Sequence, residues 1–167
     1  MMQVQPLVPL AIDLPRPWVF LAGAIDQDRA ERWQDRAVAA LGDTSGTVLN
    51  PRRDDWDGSW GNDLDDPRFA AQVAWELEGL ERADAIICWL PAGSQAPISL
   101  LELGLHARGG RLVVGCPIGF HRRGNVRAVC ARFGVPLHET LEDILHDIRR
   151  GSAIIPPTPE PACSTGS

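Results

Sequence analysis

The feature that most constrains this chain is an alternation: short apolar runs closed by Gly or Pro, each followed by a stretch with apolar residues at helical spacing. The runs "WVFLAG", "TVLNP", "DAIICWL", "RLVVGCP" and "VPLH" suit buried strands. "DAIICWL" is nearly continuous in apolar residues, the pattern of a parallel strand covered on both faces. Between and after them, 27–42, 67–83, "ISLLELGLHARGG", "GNVRAVCARFG" and "ETLEDILHDIRR" read as helices, the second opened by Asp66 as cap with Pro67 at its first position. Five strands alternating with five helices predict an α/β fold: a single-domain, doubly wound five-stranded parallel sheet of the Rossmann or flavodoxin-like kind, with helices on both faces.

At 167 residues, one domain is the expected organisation. Residues 1–16, with Pro6, Pro9 and Pro15, are expected as an N-terminal arm. Residues 17–150 form the domain, and 151–167, rich in Pro, Ser and Gly, a flexible tail. A net charge of −6 argues against a nucleic-acid partner, which needs clustered Lys and Arg. No apolar run approaches the roughly 20 residues that span a bilayer, and the N-terminal residues do not resemble a signal peptide. A soluble cytoplasmic protein without membrane contact is expected. The four cysteines show no metal-binding or disulfide spacing, and neither a G-x-G-x-x-G after the first strand nor a G-x-x-x-x-G-K-[ST] motif is present, so no metal and no cofactor is expected.

In such a sheet, ligands bind beyond the carboxyl ends of the strands, where the strand order reverses. The candidate rim is Gly23 to Asp26, Asn50 to Trp60, Pro91 to Glu102 and Pro117 to Asn125. Within it Glu102 is a single carboxylate in "PISLLELGLHA". One reading makes it the third helical residue of a capping box with Ser99 as cap. The other makes it functional: the helix is apolar nearly all round, so it should be buried and its glutamate desolvated, and Gly104 suggests close approach of a backbone or ligand. Its place near the helix start should favour the ionised form. His106, one turn on, is within reach of Glu102 or simply structural. Glu76 and Glu78 are further carboxylates, in mid-helix, where a solvated face is the plain alternative. Asp26 either caps the following helix or faces the ligand; an acid there argues against a phosphorylated ligand. Trp56 and Trp60, in a long polar loop, suit stacking on a flat ligand.

Taken together, "VFLAGAID", "NPRRDDW", "QVAWELEGLERADAII", "PISLLELGLHA" and "GFHRRGNV" resemble the nucleoside 2-deoxyribosyltransferases, and in particular their deoxyribosyltransferase-like branch, over roughly residues 18–140. The resemblance implies that Glu102 attacks the anomeric carbon of a 2′-deoxynucleoside, forming a covalent glycosyl intermediate that passes to another base. It implies that Glu76 carries protons to and from the base, and that Asn125 reaches the sugar of a neighbouring subunit. The partners would then be a small-molecule nucleoside, a free nucleobase and further copies of this chain in a homo-oligomer. Gly23, Ala24, Asp26, Asp54, Asp55, Trp56 and Ser99 are the candidate substrate contacts. The chain has no tyrosine. Phe20 stands where many members carry one beside the glutamate, and Ala96 falls near a second aspartate, for which Asp54 or Asp55 is the candidate substitute. An N-glycoside hydrolase using the same glutamate, and a binding module without turnover, are the alternatives.

Overall fold

The computed structural model describes residues 1–25, 32–53 and 63–151. In chain order the elements are β1 (Met2–Val4), β2 (Trp18–Gly23), α1 (Trp33–Leu41), β3 (Thr47–Leu49), α2 (Pro67–Arg82), β4 (Ala85–Trp89), α3 (Pro97–His106), β5 (Leu112–Gly115), α4 (Arg123–Phe133), β6 (Leu137–His138) and α5 (Leu141–Arg149). The strands form one sheet in the order β1-β3-β2-β4-β5-β6, and every neighbouring pair is parallel. The fold is therefore the doubly wound α/β sheet read from the alternation. It carries one strand more than the five expected: Met2–Val4, within the segment read as an arm, pairs with Thr47–Leu49 at the sheet edge. Three residues are too few to show a period, and their pairing depends on a strand more than 40 residues away.

Period-two alternation along β2 sorts the core into two layers. Trp18, Phe20 and Ala22 face a cluster holding Trp75 and Leu80 of α2, Leu103 of α3, and Val126 and Cys130 of α4. Val19 and Leu21 face the other cluster, with Trp33, Ala37 and Leu41 of α1 and Leu141, Ile144, Leu145 and Ile148 of α5. Cys88, Cys116 and Cys130 are buried free thiols.

Helix α2 begins as its sequence predicts: an Asp66 carboxylate oxygen accepts the Arg68 N–H at 2.9 Å, and Pro67 fills the first position. It then runs close over the sheet at Gly79, where a Cβ would stand 2.9 Å from the Phe20 ring. Larger residues there would push the helix outward. The Trp75 indole reaches past the sheet edge, donating to the Val8 carbonyl at 2.9 Å.

The chain leaves β2 to one side for β3 and crosses back to the other side for β4, so strand order reverses between β2 and β4. At the carboxyl end of that pair, Gly23 adopts φ +147°, and a Cβ on it would stand 2.5 Å from the Trp89 carbonyl oxygen. No other residue type fits without displacing the strand. Next to it the Ala24 N–H donates to the Trp89 carbonyl at 3.1 Å, while the Ala24 carbonyl accepts the Trp33 indole N–H at 3.0 Å. The floor of the crevice is thus rigid.

Candidate active site

Three segments bring polar groups to the rim of this crevice. After β3, Pro51 and Arg52 are buried; the Arg52 N–H donates to the Asn50 side chain at 3.0 Å, and its guanidinium to Gln34 at 3.3 Å. After β4, the turn 91–96 is closed by Ser94, whose hydroxyl donates to the Pro91 carbonyl at 2.8 Å. It is tied to the next loop by the Gly93 N–H on the Gly119 carbonyl and by His121 against the Ser94 carbonyl. The third segment is the middle of α2, facing α3.

Helix α3 does not start as a capping box. Its N-cap is Ala96, in a left-handed conformation (φ 45°) with no side-chain cap, and Pro97 is the first helical residue. Ser99 is consequently inside the helix and buried, its carbonyl near the Cys88 thiol. Glu102 becomes the sixth helical residue, beyond the first turn where the free N–H groups and the dipole act most strongly. The capping reading of Glu102 therefore fails, because proline at the first position starts the helix nearly a full turn earlier.

One further expectation about α3 is overturned, and Gly104 has no backbone of this chain's described residues against it. The helix is not buried all round: Ile98, Leu101 and Leu105 are 60%, 61% and 60% exposed, a solvent-facing apolar stripe, while Ser99 and Leu103 are the residues buried against the body. Nor does anything in this chain approach Gly104, where a Cβ would find open space among the described residues. Gly104 instead lines an open groove of about 360 Å³ between α3 and α4 with Leu100, Leu103, Arg122, Asn125, Val126 and Val129. Asn125 thus lies on the α4 side of α3.

Glu102 does not line this groove, and its electrostatic neighbour is Glu76 of α2. Burial, and then the nearby charge of Glu76, push its carboxyl up to about 8. The expectation that the helix terminus would hold Glu102 ionised is reversed: the residue sits past the first turn, and its electrostatic neighbour is a second acid. Glu76 is itself raised by burial, against the pull of a hydrogen bond from Gln72. That bond is 2.6 Å from the Gln72 Nε2 to the Glu76 Oε1, and the same Nε2 donates to the Pro51 carbonyl at 3.1 Å. Of the two glutamates in mid-helix, Glu78 is the solvated one, paired with Arg82.

His106 does not answer to Glu102. Its pKa is lowered by burial and by Arg111, with Glu81 opposing. Phe20 is fully buried with its ring centroid 6.2 Å from that of Trp75, so the position that resembles the family tyrosine is a packing position here. Among the described residues no cluster of His, Cys, Asp and Glu has the arrangement to hold a metal ion. Asp26, Asp54, Asp55, Trp56 and Trp60 lie outside the described residues, as does the tail after Gly151. Gln72 was missed by sequence reasoning, although its spacing of four from Glu76 marks a helical side-chain pair.

Two carboxyls on neighbouring helices, both raised by burial and one also by the charge of the other, are an arrangement that can share a proton. The family model described as "Nucleoside 2-deoxyribosyltransferase like" matches residues 16–120. The chain belongs to this family. The match spans β2 through the loop after β5, and so includes both glutamates and Gln72, while Asn125 lies just beyond it. No match is found among the curated proteins. Membership implies small-molecule nucleoside substrates. Among the described residues no helix is long and apolar enough to cross a membrane.

Proposed function

We propose that this protein cleaves the N-glycosidic bond of a 2′-deoxynucleoside and passes the sugar to a second base, with Glu102 as nucleophile and Glu76 as proton carrier. The observation that carries the reading is a half-buried pair of acids, both raised by burial and Glu102 further by the charge of Glu76. A carboxylate oxygen of Glu102 attacks the anomeric carbon as the carbon–nitrogen bond breaks, and the bonding pair leaves with the base. The departing nitrogen takes the proton of Glu76. In the second half, the incoming base attacks the same carbon, the carbon–oxygen bond to Glu102 breaks, and the nitrogen's proton goes to Glu76, giving overall retention.

Such a cycle needs one proton on the pair, located on Glu76 when Glu102 attacks. In the empty site the more strongly raised group is Glu102. Productive binding therefore has to shift the shared proton toward Glu76, for which a basic base nitrogen near Glu76 supplies a reason.

A homo-oligomer with shared sites completes the reading. Asn125 lines the groove between α3 and α4, and Glu102 of the same chain is not among the residues that line it. The exposed stripe Ile98, Leu101 and Leu105 flanks Glu102 and suits cover by a second copy, whose Asn125 would reach the sugar. Gly23, Ala24, Ser99, Asp26, Asp54, Asp55 and Trp56 remain the proposed substrate contacts; Gly23 and Ala24 shape the floor rather than offering free polar groups. The proposed setting is the cytoplasm.

The test is product analysis after incubation with a 2′-deoxynucleoside, with and without excess of a different base. A new nucleoside is the expected product, with a deoxyribosyl adduct on Glu102 by mass spectrometry. Free deoxyribose alone would instead assign the hydrolase, and binding with no product in either incubation would sink the enzymatic reading.

A further inference from the structure

We propose that Gln72 is a positioning residue which engages one oxygen of Glu76 and confines its exchangeable proton to the other. The inference rests on the reading of Glu76 as proton carrier and deepens it.

Gln72 lies one helical turn before Glu76 on α2 and is 4% exposed. Its Nε2 carries two hydrogens and meets two acceptors, the Pro51 carbonyl at 3.1 Å and the Glu76 Oε1 at 2.6 Å. Those acceptors fix the orientation of the amide, because turning it over would set its oxygen against two other oxygens. The consequence is visible on the far side: the Gln72 Oε1 is buried and finds no donor among the described residues. A buried amide satisfying itself would turn its oxygen to a donor. Here it forgoes that, held by a carbonyl from the segment after β3 and a carboxyl from its own helix.

The chemical result is an asymmetry in Glu76. Its Oε1 is occupied as an acceptor, so the proton exchanged with a base belongs on Oε2. Among the described residues Glu102 of α3 is an electrostatic neighbour of Glu76, and Pro51 offers its carbonyl. Gln72 is a donor that counters the effect of burial at Glu76, and the direction of its effect is to lower the Glu76 pKa. The link to Pro51 ties this proton position to the segment that opens the loop after β3, so displacement of that segment would be felt at Glu76.

The test uses the full-length protein labelled with ¹⁵N and ¹³C. In the wild type, the Gln72 side-chain NH₂ signals should titrate with the same midpoint as the Glu76 carboxyl carbon, assigned by its loss in Glu76→Gln. In Gln72→Met, of similar shape and without donors, that midpoint should rise by roughly one pH unit, and the matching limb of the pH profile for base release should move with it. Thermal melting reports whether the variant is folded. Gln72 signals that do not follow Glu76, or a folded Gln72→Met with an unmoved midpoint, would overturn the proposal. The wild-type titration needs no substitution, so it decides even if the variant fails to fold. A wild type that releases no base from any deoxynucleoside would refute the proposed activity, while the titration would still decide the role of Gln72.

Discussion

Replacing Glu102 by Gln should make the protein more stable, and increasingly so as pH rises. The Glu102 carboxyl titrates near 8 in the folded protein against 4.5 for an unperturbed glutamate. Between those values the native state holds a proton that the unfolded chain has released, so wild-type stability falls as pH climbs from about 4.5 and has fallen fully above about 8. A shift of that size corresponds to at most about 5 kcal/mol, and relaxation of a partly exposed pair reduces it to a few. Glutamine keeps the shape and carries no charge at any pH, so it removes this slope. For a chain of this length the melting temperatures of wild type and Glu102→Gln should diverge by roughly 5–15 °C between pH 5 and pH 9. Calorimetry at four or five pH values on both proteins measures this directly. Parallel melting curves over that range would falsify the burial and pairing of Glu102 on which the site is built. The variant should at the same time lose turnover by on the order of 10³-fold or more, the usual opposition between stability and function at an active site.

In the proposed cycle the active state of the pair is its monoanion, so kcat/KM for base release should be bell-shaped, falling below an acid limb that lies above 4.5 and above an alkaline limb near 8; a flat profile from pH 5 to 9 would contradict a proton shared by two acids. Gly79→Ala should destabilise the fold by about 1–3 kcal/mol, because its Cβ meets the Phe20 ring at 2.9 and 3.0 Å, and urea unfolding with an unchanged slope would register it. Leu101→Glu places a charge in the exposed stripe of α3; sedimentation velocity should show a smaller species with its helical spectrum retained, and an unchanged assembly size would show that this stripe is not the interface.

Several elements were legible without coordinates because their causes are local. Apolar runs of strand length, the Asp66-Pro67 start of α2 and the helical spacing of α5 are written within a few consecutive residues, and all appear where expected. The start of α3 was misread although it too is local: Ser99 and Glu102 satisfy the spacing of a capping box, but Pro97 and the left-handed Ala96 begin the helix earlier. The burial of α3 was misread for a different reason. Its apolar residues imply a covered surface, and one chain covers only part of it, leaving Ile98, Leu101 and Leu105 outside.

The sequence alone determined the α/β alternation, the parallel sheet it requires and the presence of Glu102 and Glu76 on adjacent helices, since periodicity and turn chemistry act over a few residues. Only the tertiary structure decided that the charge of Glu76 raises the Glu102 pKa, that Gln72 joins Glu76 to Pro51, and that Asn125 lines a groove between α3 and α4 that Glu102 does not line. Those relations depend on which helix lies beside which and on how much water remains between them, and desolvation is a property of the packed neighbourhood that no single stretch of chain contains.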